Sequence, residues 1–257
     1  MKYPTSTNED PGIAVITGAG RGIGAATARL FAKQDYFVCI NFKANTEAAD
    51  NLALSIENEG GQCITVQADV ATEEGVHKLF SAVDRLSGTL AVVVNNAGIL
   101  KTQSRLDNMT AQRINELLTT NVTSYFLCCR EAVKRMSTLH GGQGGSIVNV
   151  SSAAARTGSP NEYIDYAATK GAIDTLTKGL AMEVAAENIR VNCVRPGCIY
   201  TDMHADGGEP GRVDRLAEVL PMKRGGHPEE VAEAIYWLAS EKASFSTGNF
   251  LDLAGGV

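Results

Sequence analysis

A doubly wound α/β fold, with a seven-stranded, mostly parallel sheet carrying helices on both faces, is predicted by three features of this sequence. Short apolar runs alternate with longer helical patterns from Gly12 to the C-terminus, which is what repeated βαβ units around a parallel sheet require. A glycine-rich turn, Thr17-Gly18-Ala19-Gly20-Arg21-Gly22-Ile23-Gly24, joins the first strand pattern to the first helix pattern. No Pro- or Ser-rich linker and no repeat period divides the chain, so residues 1–257 are read as one domain.

The elements follow in order. Strands are predicted over 13–17, 37–42, 63–67, 91–95, 146–151, 190–194 and 250–253, many of them rich in Val and Ile. Helices are predicted over 22–35, 45–59, 73–87, 107–138, 163–187 and 228–240. The largest irregular interval runs from Pro196 to about Arg224 and contains GGEPGR. Its place after the sixth strand puts it over the carboxyl edge of the sheet, where open α/β folds bind ligands, so 198–224 is read as a substrate lid. Asp202, His204, Asp206, Glu209, Arg212, Asp214 and Arg215 make this lid polar, which suits a hydroxylated or small polar substrate.

Composition narrows the functional classes. Hydrophobic residues are 44% and charged residues 20%, a globular balance, and a formal charge of -6 argues against broad electrostatic binding to nucleic acid or anionic membrane. No apolar run approaches the roughly 20 residues that span a bilayer. The opening MKYPTSTNEDPG lacks the apolar centre of a signal peptide, so a cytoplasmic location is expected. The six cysteines, Cys39, Cys63, Cys128, Cys129, Cys193 and Cys198, lack zinc-site or redox spacing and are read as reduced thiols. The histidines are equally scattered, and no metal is expected.

Two motifs carry chemistry. Glycines in a strand-turn-helix context permit a sharp turn and let a pyrophosphate approach backbone N–H groups at a helix N-terminus, which names Gly18, Arg21, Gly22, Ile23 and Gly24 as candidate cofactor contacts. The second strand then ends Asn41-Phe42-Lys43, where an NAD site would place a carboxylate on the ribose 2′-hydroxyl. None stands there. Arg21 and Lys43 instead suit a 2′-phosphate, which favours NADP over NAD, although each would serve equally as a solvated surface charge. The second motif is Tyr166-Ala167-Ala168-Thr169-Lys170, in which a phenol and an ammonium share a helix face. A fixed cation favours the phenolate and brings a tyrosine toward acid/base chemistry at neutral pH. Such pairs are also common on helix surfaces, so this one gains its meaning from its company.

That company is specific. TGAGRGIG at 17–24, Asp69-Val70, Asn95-Asn96-Ala97-Gly98, Asn121, Ser151-Ser152, Tyr166 with Lys170, and Pro196-Gly197 followed by Ile199 and Thr201 stand in the order of the short-chain dehydrogenases/reductases. Over roughly 12–256 the chain resembles that family in its single-domain form, and within it the branch of 3-oxoacyl-carrier-protein reductases and glucose 1-dehydrogenase-like enzymes. The resemblance implies a Rossmann fold and a catalytic tetrad. Tyr166 would protonate a carbonyl oxygen or deprotonate an alcohol, and Lys170 would lower its pKa and hold the nicotinamide ribose. Ser152 would hydrogen-bond the substrate oxygen while Ser151, facing the other way, stays structural. Asn121, within the long fourth helix, would hold a water for proton relay to Lys170.

For the cofactor, the resemblance places Asp69 and Val70 at adenine, Asn95, Ala97 and Gly98 beside the adenosine ribose, and Pro196, Gly197, Ile199 and Thr201 against the nicotinamide. It further implies a small carbonyl or alcohol substrate and a homotetramer joined through the fourth and fifth helices and a C-terminal segment. The interval between Ser152 and Tyr166 is one residue longer than in many members, an insertion placed within Gly158-Ser159-Pro160-Asn161-Glu162. Tyr163 is expected either to wall the pocket or simply to pack. An acidic carrier protein would need a basic docking surface, for which Lys134 and Arg135 stand available, but the STLHGGQGGS segment that follows contains no Lys or Arg, which counts against a carrier partner. The expected activity is NADP(H)-dependent interconversion of a carbonyl and a secondary alcohol. A sugar dehydrogenase, or a nucleotide-responsive binding protein without turnover, is the competing reading.

Overall fold

Strands buried on both faces by helices read as nearly continuous apolar runs, and the five inner strands of the seven-stranded sheet here are of that kind, with every neighbouring pair parallel. The computed structural model describes residues 12–257, so the leader expectation falls almost wholly outside the described residues. In chain order the first half contains β1 (Gly12–Ile16), α1 (Gly22–Lys33), β2 (Phe37–Phe42), α2 (Thr46–Asn58), β3 (Gln62–Gln67), α3 (Glu73–Val83) and β4 (Thr89–Asn95). Then come α4 (Ala111–Leu118), α5 (Ser124–Met136), β5 (Gly145–Val150), α6 (Ala154–Thr157) and α7 (Ile164–Val184). The chain continues through β6 (Ile189–Pro196), α8 (Met203–Asp206), α9 (Arg212–Ala217), α10 (Pro228–Ala239) and β7 (Phe250–Leu253).

The sheet order is β3-β2-β1-β4-β5-β6-β7. Winding reverses between β1 and β4, and the crevice beyond their carboxyl ends is the ligand position of such sheets. Strand alternation builds two cores. Ala14 and Ile16 pack with Phe31, Leu52 and Ile235 on one face, while Ile13 and Val15 pack with Leu79, Phe80 and Ala132 on the other. Helices α1, α2 and α10 therefore cover one face, and α3, α5 and α7 the other. The six thiols are free, and burial pushes Cys39 up to about 12.

Three local features differ from expectation. The helix predicted over 107–138 is interrupted by a π-helical turn, Thr119–Thr123, so Asn121 sits in a local widening between α4 and α5. The interval flanking the extra residue holds α6 and a turn with left-handed backbone at Gly158, Ser159 and Asn161 (φ 73°, 43° and 63°). The lid is not irregular. It carries α8 and α9, and its two ends are joined by a parallel bridge between Ile199 and Gly226, with Tyr200 N–H donating to Gly226 O at 2.9 Å.

Candidate active site

The glycine turn is held by the neighbouring strand end. Thr17 Oγ1 accepts from Asn96 N at 2.9 Å and Ala97 N at 3.0 Å, which ties the turns after β1 and β4 together. A Cβ on Gly18, whose φ is +61°, would stand 2.9 Å from Ala97 Cα, and one on Gly24 would stand 2.6 Å from Asn96 Nδ2. Only glycine permits this approach. α2, α3 and α4 open on side-chain caps from Asn45, Thr72 and Thr110, whereas Arg21 gives α1 no such cap. The leading N–H groups of α1 are thus left for an anion, and this end of the crevice fits a dinucleotide pyrophosphate.

At the tip of β2 the structure spends several candidate side chains inside the protein. Asn41 is buried, accepts from Gly18 N at 3.3 Å and donates to Val66 O and Ala68 O, so its side chain braces the glycine turn from behind. Phe42 is also buried. Lys43 and Arg21 are not the open cations that the sequence suggests. Lys43 Nζ lies 2.8 Å from Asp69 Oδ2, and Arg21 is paired with Asp206 of the lid. Burial raises the Asp69 carboxyl, but its bonds to Lys43 and to Ala71 N outweigh this and leave it below its ordinary value. Val70 is buried beside it.

Asn95 likewise points inward. It is 1% exposed and its amide donates to Asn149 Oδ1 at 2.9 Å, so only its backbone can reach a ligand. Asn96 lines the cavity described below, while its amide donates to Thr17 O and Gly18 O. The glycine at 98 keeps a passage open, since a Cβ there would stand 3.5 Å from Asn121 Oδ1 and 3.8 Å from Lys170 Nζ. Asn121 itself is fully buried. It accepts from Ile99 N at 2.8 Å and donates to Ile99 O at 2.9 Å, so it pins the segment after Gly98.

Tyr166 and Lys170 face one another across a helical turn of α7, with Lys170 Nζ 5.5 Å from the Tyr166 ring centre. Lys170 is 3% exposed, and burial pulls its ammonium down to about 8. It donates to Val150 O at 2.7 Å and Tyr125 Oη at 3.4 Å. Burial pushes the Tyr166 phenol up to about 12, against a weaker lowering from the Ser152 hydroxyl beside it. Lys170 is not among the groups that lower this phenol, and its ammonium is turned to the Val150 carbonyl. The two serines diverge. Ser151 Oγ donates to Lys170 O at 3.1 Å, while Ser152 Oγ accepts from Ala154 N at 3.1 Å and sits on the cavity wall.

Residues that sequence reasoning passed over hold this group in place. Tyr125, fully buried, donates to Val150 O at 2.9 Å and supports Lys170 from beneath. Asp165 accepts from Tyr166 N at 2.9 Å and from Arg113 Nε at 2.6 Å, which clamps the first turn of α7 to α4. An acidic residue in a helix's first turn is a legible signal, but its partner 52 residues away is not.

Tyr166, Ser152 and Lys170 converge on a cavity of about 410 Å³. Ile23 of the glycine turn and Pro196, Gly197, Ile199 and Thr201 line one part of it, and α9 closes another through Leu216. The Gly22 position meets this segment directly, since a Cβ there would lie 3.2 Å from Thr201 Cγ2. Tyr163 is a wall residue, 3% exposed, with the Arg212 guanidinium 5.0 Å from its ring centre. Its hydroxyl and His204 Nδ1 are buried without a hydrogen-bond partner. The lid's charges mostly pair with one another or with neighbouring loops. Arg212 bonds Glu162 and Glu209, Arg215 bonds Glu209, and Asp214 accepts from Tyr200 Oη.

A glycine turn at the winding reversal, sharing one cavity with a Tyr-Ser-Lys group, defines a class of dinucleotide-dependent oxidoreductases. Residues 18–257 match the family described as enoyl-(acyl carrier protein) reductase. An uncharacterised oxidoreductase of Escherichia coli, YgfF, is 61% identical over 244 residues, covering 95% of this chain and 99% of that protein. Glucose 1-dehydrogenase 2 of Bacillus subtilis is 34% identical over 95% of this chain and 93% of its own. A solved short-chain dehydrogenase/reductase of Serratia marcescens, a double mutant, superposes with a TM-score of 0.87 at 30% identity, covering 96% of this chain and 98% of that one. The chain belongs to the short-chain dehydrogenase/reductase family, whose members use a nicotinamide cofactor.

Proposed function

We propose that the protein is an NADP(H)-dependent oxidoreductase that interconverts a carbonyl and a secondary alcohol, with Tyr166 as the acid/base. The observation that carries this reading is the convergence of Tyr166, Ser152 and Lys170 on the same cavity as Ile23 and the Pro196 to Thr201 segment. When bound, the nicotinamide cofactor supplies or accepts the hydride. In reduction, Tyr166 Oη gives its proton to the carbonyl oxygen, which Ser152 Oγ orients by hydrogen bonding. In oxidation the same phenol takes the alcohol proton. Lys170, which donates to Val150 O, would hold the nicotinamide ribose and would favour the phenolate through its charge. Asn121 fixes the Gly98–Ile99 segment that borders this path.

The cofactor's pyrophosphate is assigned to the amides from Gly18 to Gly24, its adenine to Asp69 and Val70, and its adenosine ribose to the backbone of Asn95, Ala97 and Gly98. The 2′-phosphate is assigned to Arg21 and Lys43 at the tip of β2, beside Asn41 and Phe42. Their present ion pairs do not oppose this. Both cations are more than half exposed, and exposed pairs are worth only about 0–1 kcal/mol, so a dianionic phosphate can displace Asp206 and Asp69. Titration of the protein with NADPH and NADH, followed by reduced-nicotinamide fluorescence, should give tighter binding of NADPH. Lys43→Ala with Arg21→Ala should erase the difference. Equal or tighter binding of NADH by the parent would overturn the assignment.

The partner reading is a small molecule. Lys134 and Arg135, the cations the sequence offers to an acidic carrier, are paired with Glu131 and with Glu131 and Asp84. No helix among the described residues is long and apolar enough to cross a membrane. The free thiols suit a reducing compartment, which supports a cytoplasmic location. Exposed Phe126 on α5, Met182 on α7 and Leu251 on β7 support a homotetramer joined through these elements. Light scattering at working concentration should give four times the 27.2 kDa chain mass, and a monomer mass would remove this proposal.

A further inference from the structure

We infer that the substrate is a neutral, predominantly apolar ketone or secondary alcohol with a cyclic or branched hydrocarbon body, not a sugar and not a carboxylate. This rests on the oxidoreductase reading above and names the substrate class of that same cavity.

The first observation is the wall itself. Beyond Ser152 and Tyr166 the cavity is bounded by Leu100, Ala154, Pro160, Met203, Leu216 and Leu220, and most of the surface facing it is apolar. The second is the fate of the polar groups that share the wall. Asn96 gives its amide to Thr17 and Gly18, Ser151 bonds Lys170 O, and Glu162 and Arg212 bond each other. The hydroxyls of Thr157, Ser159 and Tyr163 and one ring nitrogen of His204 remain for a ligand. These few groups stand among Leu100, Met203, Leu216 and Leu220, so a polyhydroxylated body would set hydroxyls against apolar wall, and each one buried without a partner costs about 1–3 kcal/mol.

Charge excludes the anionic class. The cations on the wall are Arg212, held by Glu162 and Glu209, and Lys170, whose ammonium lies deep against Val150 O. A carboxylate entering here would find no unpaired cation to replace its water. The lid polarity that suggested a hydroxylated substrate is thus largely consumed within the protein, by pairs that fasten α9 to the 158–163 loop and α8 to Arg21. What faces inward beside the paired Arg212 is the apolar remainder of the same face of α9 and the segment after it, with Leu216 and Leu220.

The test compares kcat/KM for reduction of cyclohexanone, its 4-methyl, 4-ethyl and 4-propyl homologues and pyruvate with the reduced form of the preferred cofactor, and for oxidation of glucose with its oxidised form. We expect the ketones to exceed the sugar and the oxo acid by at least about 100-fold. The series should rise about three- to fourfold per added methylene until the cavity is filled, the value of burying one CH₂. Leu216→Asn should flatten that rise. Thermal shift of cofactor-loaded Tyr166→Phe by 4-propylcyclohexanol and by glucose reads binding without turnover. Faster turnover of glucose or pyruvate than of the ketones would overturn the substrate class while leaving the oxidoreductase reading intact. Stabilisation by the alcohol with no turnover of any ketone by the parent protein would keep the class and sink that reading. No stabilisation by the alcohol and no ketone turnover would overturn both.

Discussion

Tyr166→Phe should lower carbonyl reduction by about 10²–10⁴-fold, the range that a positioned general acid contributes. Converted by the transition-state relation this is about 3–5 kcal/mol of barrier. The substitution removes one oxygen from a partly buried ring and keeps the ring itself, so packing around α7 should survive. At neutral pH the phenol holds its proton, as it would at its ordinary 10.0, and burial, which pushes it up to about 12, moves it further from ionising. It is therefore in the form that reduction needs. What the buried phenol lacks in this state is a stabilised phenolate, and the nearby cation able to provide it is Lys170, with its Nζ 5.5 Å from the ring centre. The loss should fall on kcat, with NADPH binding and melting temperature nearly unchanged. A Phe variant that keeps the parent's turnover would remove Tyr166 from the chemistry and bring forward a nucleotide-responsive protein without catalysis.

The fold was legible because the five inner strands are buried on both sides and so read as apolar runs, with the partly exposed edge strands β3 and β7 completing the alternation of strand and helix. β2 and β7 match their predicted bounds, and the other strands differ by a residue or two at their ends. The positions that escaped reading are those fixed by contacts distant in sequence. The π turn around Asn121 depends on the Asn121 amide bonding both backbone groups of Ile99, 22 residues earlier, which no local periodicity encodes. Lys170 rests on Tyr125, 45 residues away, and the lid rests on Arg21 through Asp206 across 185 residues. The lid's charge pattern was visible and its meaning was not, because a row of Asp, Glu and Arg reads alike whether it faces a ligand or pairs with itself. Asn41 and Asn95 illustrate the same limit. Their places in the motif are plain, yet each side chain turns inward to bond backbone or a neighbouring asparagine.

Lys170→Met should cost about 10²–10³-fold in carbonyl reduction, the scale of losing one preorganised electrostatic partner of the reacting group. Two pH signatures separate this role from plain structural support. Burial pulls Lys170 from an ordinary 10.5 down to about 8, so the parent's kcat/KM for reduction should fall above about pH 8 as the ammonium is lost. The stability effect has the opposite sign. Between about 8 and 10.5 the unfolded chain keeps a proton on Lys170 that the folded protein has released, so on this account stability rises with pH across that window. The cost of burying the ammonium is fully present below pH 8. The six thiols oppose this trend from about their ordinary 9.0, because burial raises each of them and the folded protein keeps protons that the unfolded chain loses, and Tyr166 adds to the opposition above 10.0. Parent and Lys170→Met share those thiols, so the lysine signal is the parent's stability minus the variant's, a difference that should rise between about pH 8 and 10.5 because no group at this position titrates in the variant. The variant also loses the bonds to Val150 O and Tyr125 Oη, yet Tyr125 still donates to Val150 O, so the carbonyl keeps a partner and the fold should hold. A parent profile flat through pH 8, or a Met variant with full turnover, would assign Lys170 to packing alone.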